Sequence, residues 1–292
     1  MIRLPRPFLV SVLAAFVVMT AGTLPALAKS GAATTGNDIS WPQCGGSYPA
    51  GQAFGIVGVN HGLANNRNLC LASELQWAAL STGNALPTGF PKAALYVNTA
   101  DPGSVIPVVA DWPTSNVDPN GFTNQDPYGS CSGTGSNTPA CAWQYGWNRA
   151  IQDMLWLIAT PTSSRVSNLP STYWWWLDVE TANTWESSSG LANNVADLAG
   201  MVAAFRNKVE TTPSGVLLGG KAVGIYSTSY QWGQITSSSA GYSDLIGLPD
   251  WIPGARTLSG AQANCSLSGF TTAKPTITQW FGKPYDGDFV CP

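Results

Sequence analysis

The feature that most constrains the fold is an aromatic segment at residues 173–180, with the sequence YWWWLDVE. Side chains alternate between the two faces of a strand, so both faces of a strand here are apolar over most of its length. Strands that are covered on both faces belong to parallel sheets rather than to open antiparallel ones. The segment therefore predicts a buried parallel strand that ends in two carboxylates, Asp178 and Glu180.

Those two carboxylates are the first candidates for paired acid–base chemistry. Asp178 and Glu180 lie on one face of the predicted strand, and the carboxyl-terminal strand ends of a parallel barrel carry its active site. Alternatively, an Asp-x-Glu pair can cap a helix or end a solvated strand. The long apolar run before the pair favours the catalytic interpretation, because a surface acid needs no buried strand.

The amino terminus has the pattern of a secretory signal peptide. Arg3 and Arg6 precede an apolar run, and Ala26-Leu27-Ala28 supplies a small-residue cleavage pattern. We expect cleavage after Ala28, which leaves 264 of the 292 residues and changes the net charge from −3 to −5. Residues 29–35 are then predicted to form a short disordered lead. No later segment is long and apolar enough to span a bilayer, so no membrane association is expected after cleavage.

The composition bears on the class of partner. Only 10% of residues are charged, and acidic residues outnumber basic ones by 16 to 13. Nucleic-acid binding needs clustered Lys and Arg, so that class of function is disfavoured. Thirteen tryptophans in a weakly charged, exported chain suit flat, hydroxyl-rich ligands such as glycans, although most of these indoles must belong to the core.

Six cysteines in an exported chain indicate disulfides. Fifteen pairings are possible, and we favour pairs of sequence neighbours because each closes a plausible local loop. The favoured pairs are Cys44–Cys70, Cys131–Cys141 and Cys265–Cys291. A structural zinc site is disfavoured because the chain has one histidine and no Cys-x-x-Cys, and neither a metal nor a cofactor is expected.

The hydrophobic pattern predicts an α/β fold. Seven or eight strands are expected at residues 36–41, 54–60, 93–99, 173–180, 222–227, 250–253, 276–280 and 288–291, and helices at 70–80, 142–159 and 193–209. Alternating strands and helices indicate parallel pairing. We therefore predict a TIM-like (β/α) barrel with five β/α units, followed by strands with little helix. The alternative is a doubly wound open sheet, but no glycine-rich phosphate loop follows the first strand.

We expect one domain at residues 36–292, interrupted by a long insertion at about 101–140. The insertion is rich in Pro, Gly, Ser and Asn and has no periodicity. Structureless segments of this length are usually functional or are insertions.

In a barrel, acids at strand ends converge. Asp38, Asp178, Glu180 and Asp286 would then face one cleft, which is the arrangement that glycoside hydrolysis needs: a proton donor plus a second carboxylate. Crowding of like charges raises one pKa and keeps that acid protonated. Aromatic residues near strand ends would provide a surface for sugar rings: Tyr96, Trp176, Tyr226 and Trp280. His61 follows the second strand, where it could contact substrate or serve as a hydrogen-bonded loop residue.

Four motifs in order resemble those of glycoside hydrolase family 25 lysozymes, or of a closely related family of secreted bacterial barrels. They are Asp38-Ile39-Ser40, Leu177-Asp178-Val179-Glu180, Ile225-Tyr226-Ser227 and Tyr285-Asp286-Gly287-Asp288. The resemblance spans about residues 36–292. Where that family has an acidic Thr-Glu-Gly after the second strand, this chain has Asn60-His61-Gly62.

The resemblance implies hydrolysis of the β-1,4 bond between N-acetylmuramic acid and N-acetylglucosamine in peptidoglycan. By the same resemblance, Glu180 is the general acid, and Asp178 stabilises the cationic intermediate or orients a substrate acetamido group. Asp38 and Asp286 position substrate, and Tyr96 and Tyr226 match the family's cleft tyrosines. A secreted monomer that acts on a glycan is therefore expected. The alternatives are a non-catalytic glycan-binding module on the same fold, and a disulfide-bonded structural or toxin-like exoprotein.

Overall fold

The computed structural model of the protein describes residues 34–237 and 244–292. The predicted signal peptide and residues 29–33 of the predicted lead lie outside the described residues. Thr35, placed in that lead, already belongs to the first strand. Within the described residues, no helix is both long and apolar enough to cross a bilayer.

Eight strands form a closed barrel in sequence order. They are β1 (Thr35–Ile39), β2 (Phe54–Gly58), β3 (Ala93–Asn98), β4 (Trp174–Asp178), β5 (Ala222–Tyr226), β6 (Asp250–Ala255), β7 (Pro275–Trp280) and β8 (Gly287–Val290). Strands β1 to β7 are parallel to their neighbours, whereas β8 pairs antiparallel with both β7 and β1. Closure through β8 rules out the doubly wound open sheet.

Five α-helices follow strands β2 to β6. They are α1 (Leu71–Ala79), α2 (Pro139–Ile158), α3 (Leu191–Arg206), α4 (Ser229–Thr236) and α5 (Leu258–Asn264). The connection between β1 and β2 contains a 3-10 turn at Trp41–Gln43 instead of an α-helix. The fold is thus an α/β barrel of mixed strand direction. The predicted series of five β/α units from the first strand is not formed, because the first α-helix follows β2.

Helices α4 and α5 were not predicted. Each has only seven or eight residues and contains Ser, Gly or Thr, so neither shows a clear hydrophobic period. Both start at a threonine cap: Thr228 Oγ1 accepts from Gln231 N at 3.1 Å, and Thr257 Oγ1 accepts from Gly260 N at 3.1 Å. These caps satisfy backbone donors at the start of helices that have little intrinsic propensity.

The alternation predicted for the aromatic strand separates two cores. Trp175 points outward and stacks on Phe205 of α3 with ring centroids 4.5 Å apart. Trp176 points into the barrel, where it meets Trp251 edge-on at 5.8 Å. Both indoles are fully buried. The inner cluster fills the barrel below its carboxyl-terminal end, and the outer cluster joins the barrel to the helices.

Helices α2 and α3 pack closely because glycines stand where they cross. A Cβ on Gly200 would lie 1.9 Å from the carbonyl oxygen of Trp143. A Cβ on Gly146 would lie 2.0 Å from the carbonyl oxygen of Asp197. Both positions therefore require glycine, since real Cβ atoms do not approach backbone oxygens so closely.

The insertion before α2 is fastened to that helix. Trp112 stacks on Tyr145 with centroids 5.1 Å apart, and Trp147 Nε1 donates to Asp118 Oδ2 at 3.1 Å. The Cys131–Cys141 disulfide adds a covalent link. The other two predicted pairs, Cys44–Cys70 and Cys265–Cys291, are also formed, so the sequential pairing is confirmed.

Candidate active site

A cavity of about 170 Å³ opens at the carboxyl-terminal end of the parallel strands. Its lining residues come from β1, β3, β4, β5, β6, β7 and the start of β8. They are Asp38, Tyr96, Asp178, Glu180, Tyr226, Trp251, Gln279 and Asp286. The structure thus brings together six of the nine residues selected from the sequence, and all four of the predicted acids.

Strand register explains how such distant acids meet. Asp178 pairs by Cα with Asn98 of β3 and with Tyr226 of β5, so β4 ends level with its neighbours. Asp38 lies one residue from the end of β1. Parallel strands end at one edge, and closure of the barrel turns that edge into a ring.

Asp38 belongs to a buried hydrogen-bond network. Gln279 Nε2 donates to Asp38 Oδ2 at 2.8 Å, and Tyr226 Oη donates to Gln279 Oε1 at 3.1 Å. Asp38 also interacts with the nearby Asp288, whose Oδ1 accepts from Trp251 Nε1 at 3.0 Å. The amide of Gln279 therefore links a cavity tyrosine to a cavity acid.

The two aspartates of this network differ in protonation. Burial raises the pKa of Asp38 to about 6, although the Gln279 hydrogen bond opposes the rise. Burial, followed by the nearby charge of Asp38, raises the pKa of Asp288 well above its usual value. Burial and the charge of Asp38 therefore favour the protonated form of Asp288.

Asp178 lies at the end of β4 with its carboxyl group buried. Burial raises its pKa well above the usual value, and the charges of Glu180 and Asp38 add to the rise. Its backbone carbonyl accepts from Thr99 Oγ1 at 2.6 Å, whereas its Oδ1 has no protein partner. An unpaired buried acceptor is costly, so a ligand N–H that reached Oδ1 would be bound favourably.

Glu180 is half-buried and held from two sides. Gln231 Nε2 of α4 donates to Glu180 Oε1 at 3.2 Å, and the Glu180 carbonyl accepts from Trp185 Nε1 at 2.8 Å. Gln231 is itself fixed, since its Oε1 accepts from Thr181 N at 2.8 Å. Because Oε1 already accepts a hydrogen bond, a proton on this carboxyl group resides on Oε2.

Asp286 completes the ring of acids from the turn before β8. Its Oδ1 accepts from Gly282 N at 3.0 Å, and its carbonyl accepts from Asn37 Nδ2 at 2.8 Å. The turn is therefore tied to β1, beside Asp38.

Three predicted ligand-contacting residues do not line the cavity. Trp176 is fully buried in the barrel interior, so the prediction that it contacts substrate is wrong: the alternation that points it inward also places it below the cavity. Trp280 is half-buried and its ring lies over Gly287, where a Cβ would come within 2.0 Å of it. His61 is exposed, with its ring 4.3 Å from that of Trp41.

Sequence reasoning missed Trp251, Gln279, Asp288 and Gln231. Gln279 and Ile277 share one face of β7, and Ile277 is in the inner core, so a polar residue at an inward position was the available signal. Asp288 stands in the motif Tyr285-Asp286-Gly287-Asp288, but only its first acid was selected. Gln231 had no signal, because its helix was not predicted.

The described residues contain no group of three or more His, Cys, Asp or Glu side chains that could hold a metal ion. The cavity instead offers two different carboxyl groups: Asp178, whose raised pKa favours the neutral form, and Glu180, with one oxygen fixed as an acceptor. Burial also raises the pKa of Tyr96 and of Tyr226, so both phenols stay neutral over the working range of pH. Such a site is equipped for proton transfer to a polar, uncharged ligand.

No protein-family model matches the chain, and no curated protein matches it. Three solved structures do. The bacterial lysozyme from Streptomyces coelicolor matches with a TM-score of 0.48 and 13% identity, over 88% of this chain and 91% of that one. The muramidase from Trichobolus zukalii matches with a TM-score of 0.41 and 16% identity, over 89% of this chain and 94% of that one.

The third is the modular Cpl-1 endolysin, solved with a peptidoglycan analogue. It matches with a TM-score of 0.42 and 13% identity, over 89% of this chain and 54% of the endolysin. All three matches cover most of this chain.

Proposed function

We propose that the protein is a secreted glycoside hydrolase that cleaves the β-1,4 bonds of peptidoglycan between N-acetylmuramic acid and N-acetylglucosamine. The observation that supports this most is the convergence of Asp38, Asp178, Glu180 and Asp286 on one cavity at the carboxyl-terminal end of the barrel strands. Glycoside hydrolysis requires two carboxyl groups of different protonation on opposite sides of the scissile bond. Sites of this kind lie at this end of barrel folds.

In this proposal Glu180 is the general acid. Its Oε2 carries the proton, because Gln231 occupies Oε1. As the bond between the sugar C1 and the glycosidic oxygen breaks, that oxygen takes the proton from Oε2. The Glu180 carboxylate formed in this way then takes a proton from the water that attacks C1, which restores the acid.

Asp178 is assigned to the substrate acetamido group. The carbonyl oxygen of that group bonds to C1 as the leaving group departs, and its N–H donates to the unpaired Oδ1 of Asp178. Burial favours the neutral form of Asp178, and its unpaired Oδ1 can accept the acetamido N–H in that form. Asp38 and Asp286 then position the sugar, and the charge of Asp38 adds to the raised pKa of Asp178.

Tyr96 and Tyr226 are proposed to hold the sugar rings. Both line the cavity, and the buried Trp251 packs behind them, with ring centroids at 6.4 Å from Tyr96 and 4.6 Å from Tyr226. Aromatic faces bind the C–H faces of sugars while their polar groups hydrogen-bond to hydroxyls.

We further propose that the chain is exported by a signal peptide at residues 1–28 and acts as a monomer with one domain at 36–292. Three disulfides support an oxidising compartment. No cofactor and no nucleic acid enter the proposed reaction. The insertion at about 101–140 belongs to the same domain through its links to α2.

The test compares Glu180→Gln with the parent protein on purified peptidoglycan. The amide keeps the shape of the side chain and removes the transferable proton, so release of reducing sugars should fall at least a hundredfold. Asp244→Asn, at an exposed acid, is the matched control and should keep full activity. Equal activity of Glu180→Gln and the control would remove Glu180 as the acid. Binding by both proteins without any product would instead establish a glycan-binding module.

A further inference from the structure

A second cavity, of about 300 Å³, opens at the same end of the barrel. Loops after β2, β3 and β4 form it, and most of its β3 wall belongs to the insertion. Its lining includes Leu63, Pro102, Val105, Val108, Ala110 and Asp111.

This second cavity shares a loop with the active site. Asn183 and Thr184 line it and follow Glu180 by three and four residues. Asn183 N donates to the Glu180 carbonyl at 3.1 Å, and Asp101 N of the insertion donates to the Thr184 carbonyl at 3.0 Å. The second cavity therefore adjoins the loop that carries Glu180, at the end of the barrel where the active-site cavity opens.

The second cavity has an aliphatic rim, whereas Asn65, Asn183 and Thr184 add polar side chains to its lining. Val105, Val108 and Leu63 are 41%, 83% and 55% exposed, so three apolar side chains face solvent together at its rim. Tyr145, the aromatic residue of the lining, is buried. Sugar rings prefer exposed aromatic faces, whereas walls of this kind favour short aliphatic groups.

One charged group accompanies the aliphatic wall. Asp111 lines the cavity with its side chain 58% exposed, at 3.6 Å from the buried guanidinium of Arg149. Because Arg149 already pairs with this carboxylate, the aliphatic rim decides which groups the cavity prefers. The cavity therefore suits a chain of small apolar units.

The insertion holds this cavity in shape before any ligand arrives. Trp112 stacks on Tyr145, and its Nε1 donates to the Ser136 carbonyl at 2.9 Å. A Cβ on Gly103 would lie 2.4 Å from both Asn137 Oδ1 and Glu186 Oε1, so the first turn of the insertion is tightly packed. Preorganised walls lower the entropy cost of binding.

We propose that the second cavity binds the peptide stem of peptidoglycan, so that the protein prefers strands that carry stems over bare glycan. Peptide stems are short and alanine-rich, contain a diamino residue, and branch from the muramic acid that would lie at Glu180. This assignment rests on the proposed function for the position of the sugar. The insertion thereby becomes a substrate-recognition element of the catalytic domain.

The test measures binding rather than turnover. In a Glu180→Gln background, which prevents hydrolysis, Kd is measured by sedimentation with stem-bearing peptidoglycan and with the same polymer stripped of stems by an amidase. Val108→Asp introduces a charge into the aliphatic rim. Val209→Asp is the matched control, because Val209 is an equally exposed valine in the loop between α3 and β5, at the opposite end of the barrel.

We expect about tenfold tighter binding to the stem-bearing polymer, the effect of one well-buried apolar group. Val108→Asp should reduce that preference to less than twofold, while Val209→Asp should keep it. Equal affinity for the two polymers, or an unchanged preference in Val108→Asp, would overturn the proposal. If the parent protein, which keeps Glu180, hydrolysed neither polymer, only the proposed reaction would be contradicted. The stem preference would still stand or fall on the measured binding.

Discussion

Replacing Asp38 by Asn should stabilise the protein at neutral pH while it damages the site. Asp38 is half-buried, one residue before the end of β1, and desolvation raises its pKa from 3.8 to about 6. At a pH between 3.8 and about 6, Asp38 is protonated in the folded protein and ionised in the unfolded chain. The free energy of unfolding therefore falls as pH rises from about 4 to 6, and the loss persists at higher pH.

The size of the effect follows from the pKa difference. Each pKa unit corresponds to about 1.4 kcal/mol, so ionisation of Asp38 costs the folded state about 3 kcal/mol at pH 7. Asn cannot ionise and keeps an oxygen that can accept the hydrogen bond from Gln279 Nε2. The stability difference between Asp38→Asn and the parent should therefore shift by about 3 kcal/mol in favour of Asn between pH 4 and pH 7.

Urea unfolding followed by tryptophan fluorescence, with disulfides intact, measures this difference at each pH. Asp244→Asn serves as the control, because that acid is exposed and its replacement should leave the pH dependence of the parent unchanged. A difference between Asp38→Asn and the parent that is constant from pH 4 to 7 would refute the reasoning, since it would mean that Asp38 ionises without cost in the folded state.

Two further predictions concern positioning and packing. Gln231→Ala removes the hydrogen bond that fixes Glu180, so kcat should fall about tenfold, the value of one hydrogen bond, while KM stays within twofold. Steady-state kinetics on peptidoglycan fragments measures both constants. A change confined to KM would contradict a positioning role for Gln231. Gly200→Ala places a Cβ against the Trp143 carbonyl and should cost about 3 kcal/mol, a fall in Tm of roughly 6–12 °C by calorimetry. Gly260→Ala, where the nearest atoms lie at 3.4 Å, is its control and should leave Tm unchanged or raised.

Much of the strand arrangement could be predicted because each strand is a short apolar run between turn residues. The aromatic strand is the clearest case: its alternation separated Trp175, which packs on α3, from Trp176, which fills the barrel. Alternation shows which side chains point into the barrel, but it does not show how far below the cavity each of them lies. Trp176 was therefore expected in the cavity, although strand register places it one layer below.

The acids of the site were predictable for a similar reason, since Asp38, Asp178 and Glu180 lie at or just after strand ends and Asp286 directly precedes the last strand. Their partners were not, because hydrogen bonds such as Gln279 to Asp38 join residues 241 positions apart. The pairing of Asp38 with Asp288 depends on β8 turning antiparallel to close the barrel, which local sequence does not encode. Gln231 lies on a helix that is set by a threonine cap rather than by periodicity.

The most direct test of the proposed reaction is the identity of the sugar end that the protein releases from peptidoglycan. Digested material is reduced with borohydride and examined by mass spectrometry, with Glu180→Gln in parallel. The account predicts new reducing ends on N-acetylmuramic acid from the parent protein and none from Glu180→Gln. New ends on N-acetylglucosamine, or products that persist in Glu180→Gln, would contradict it.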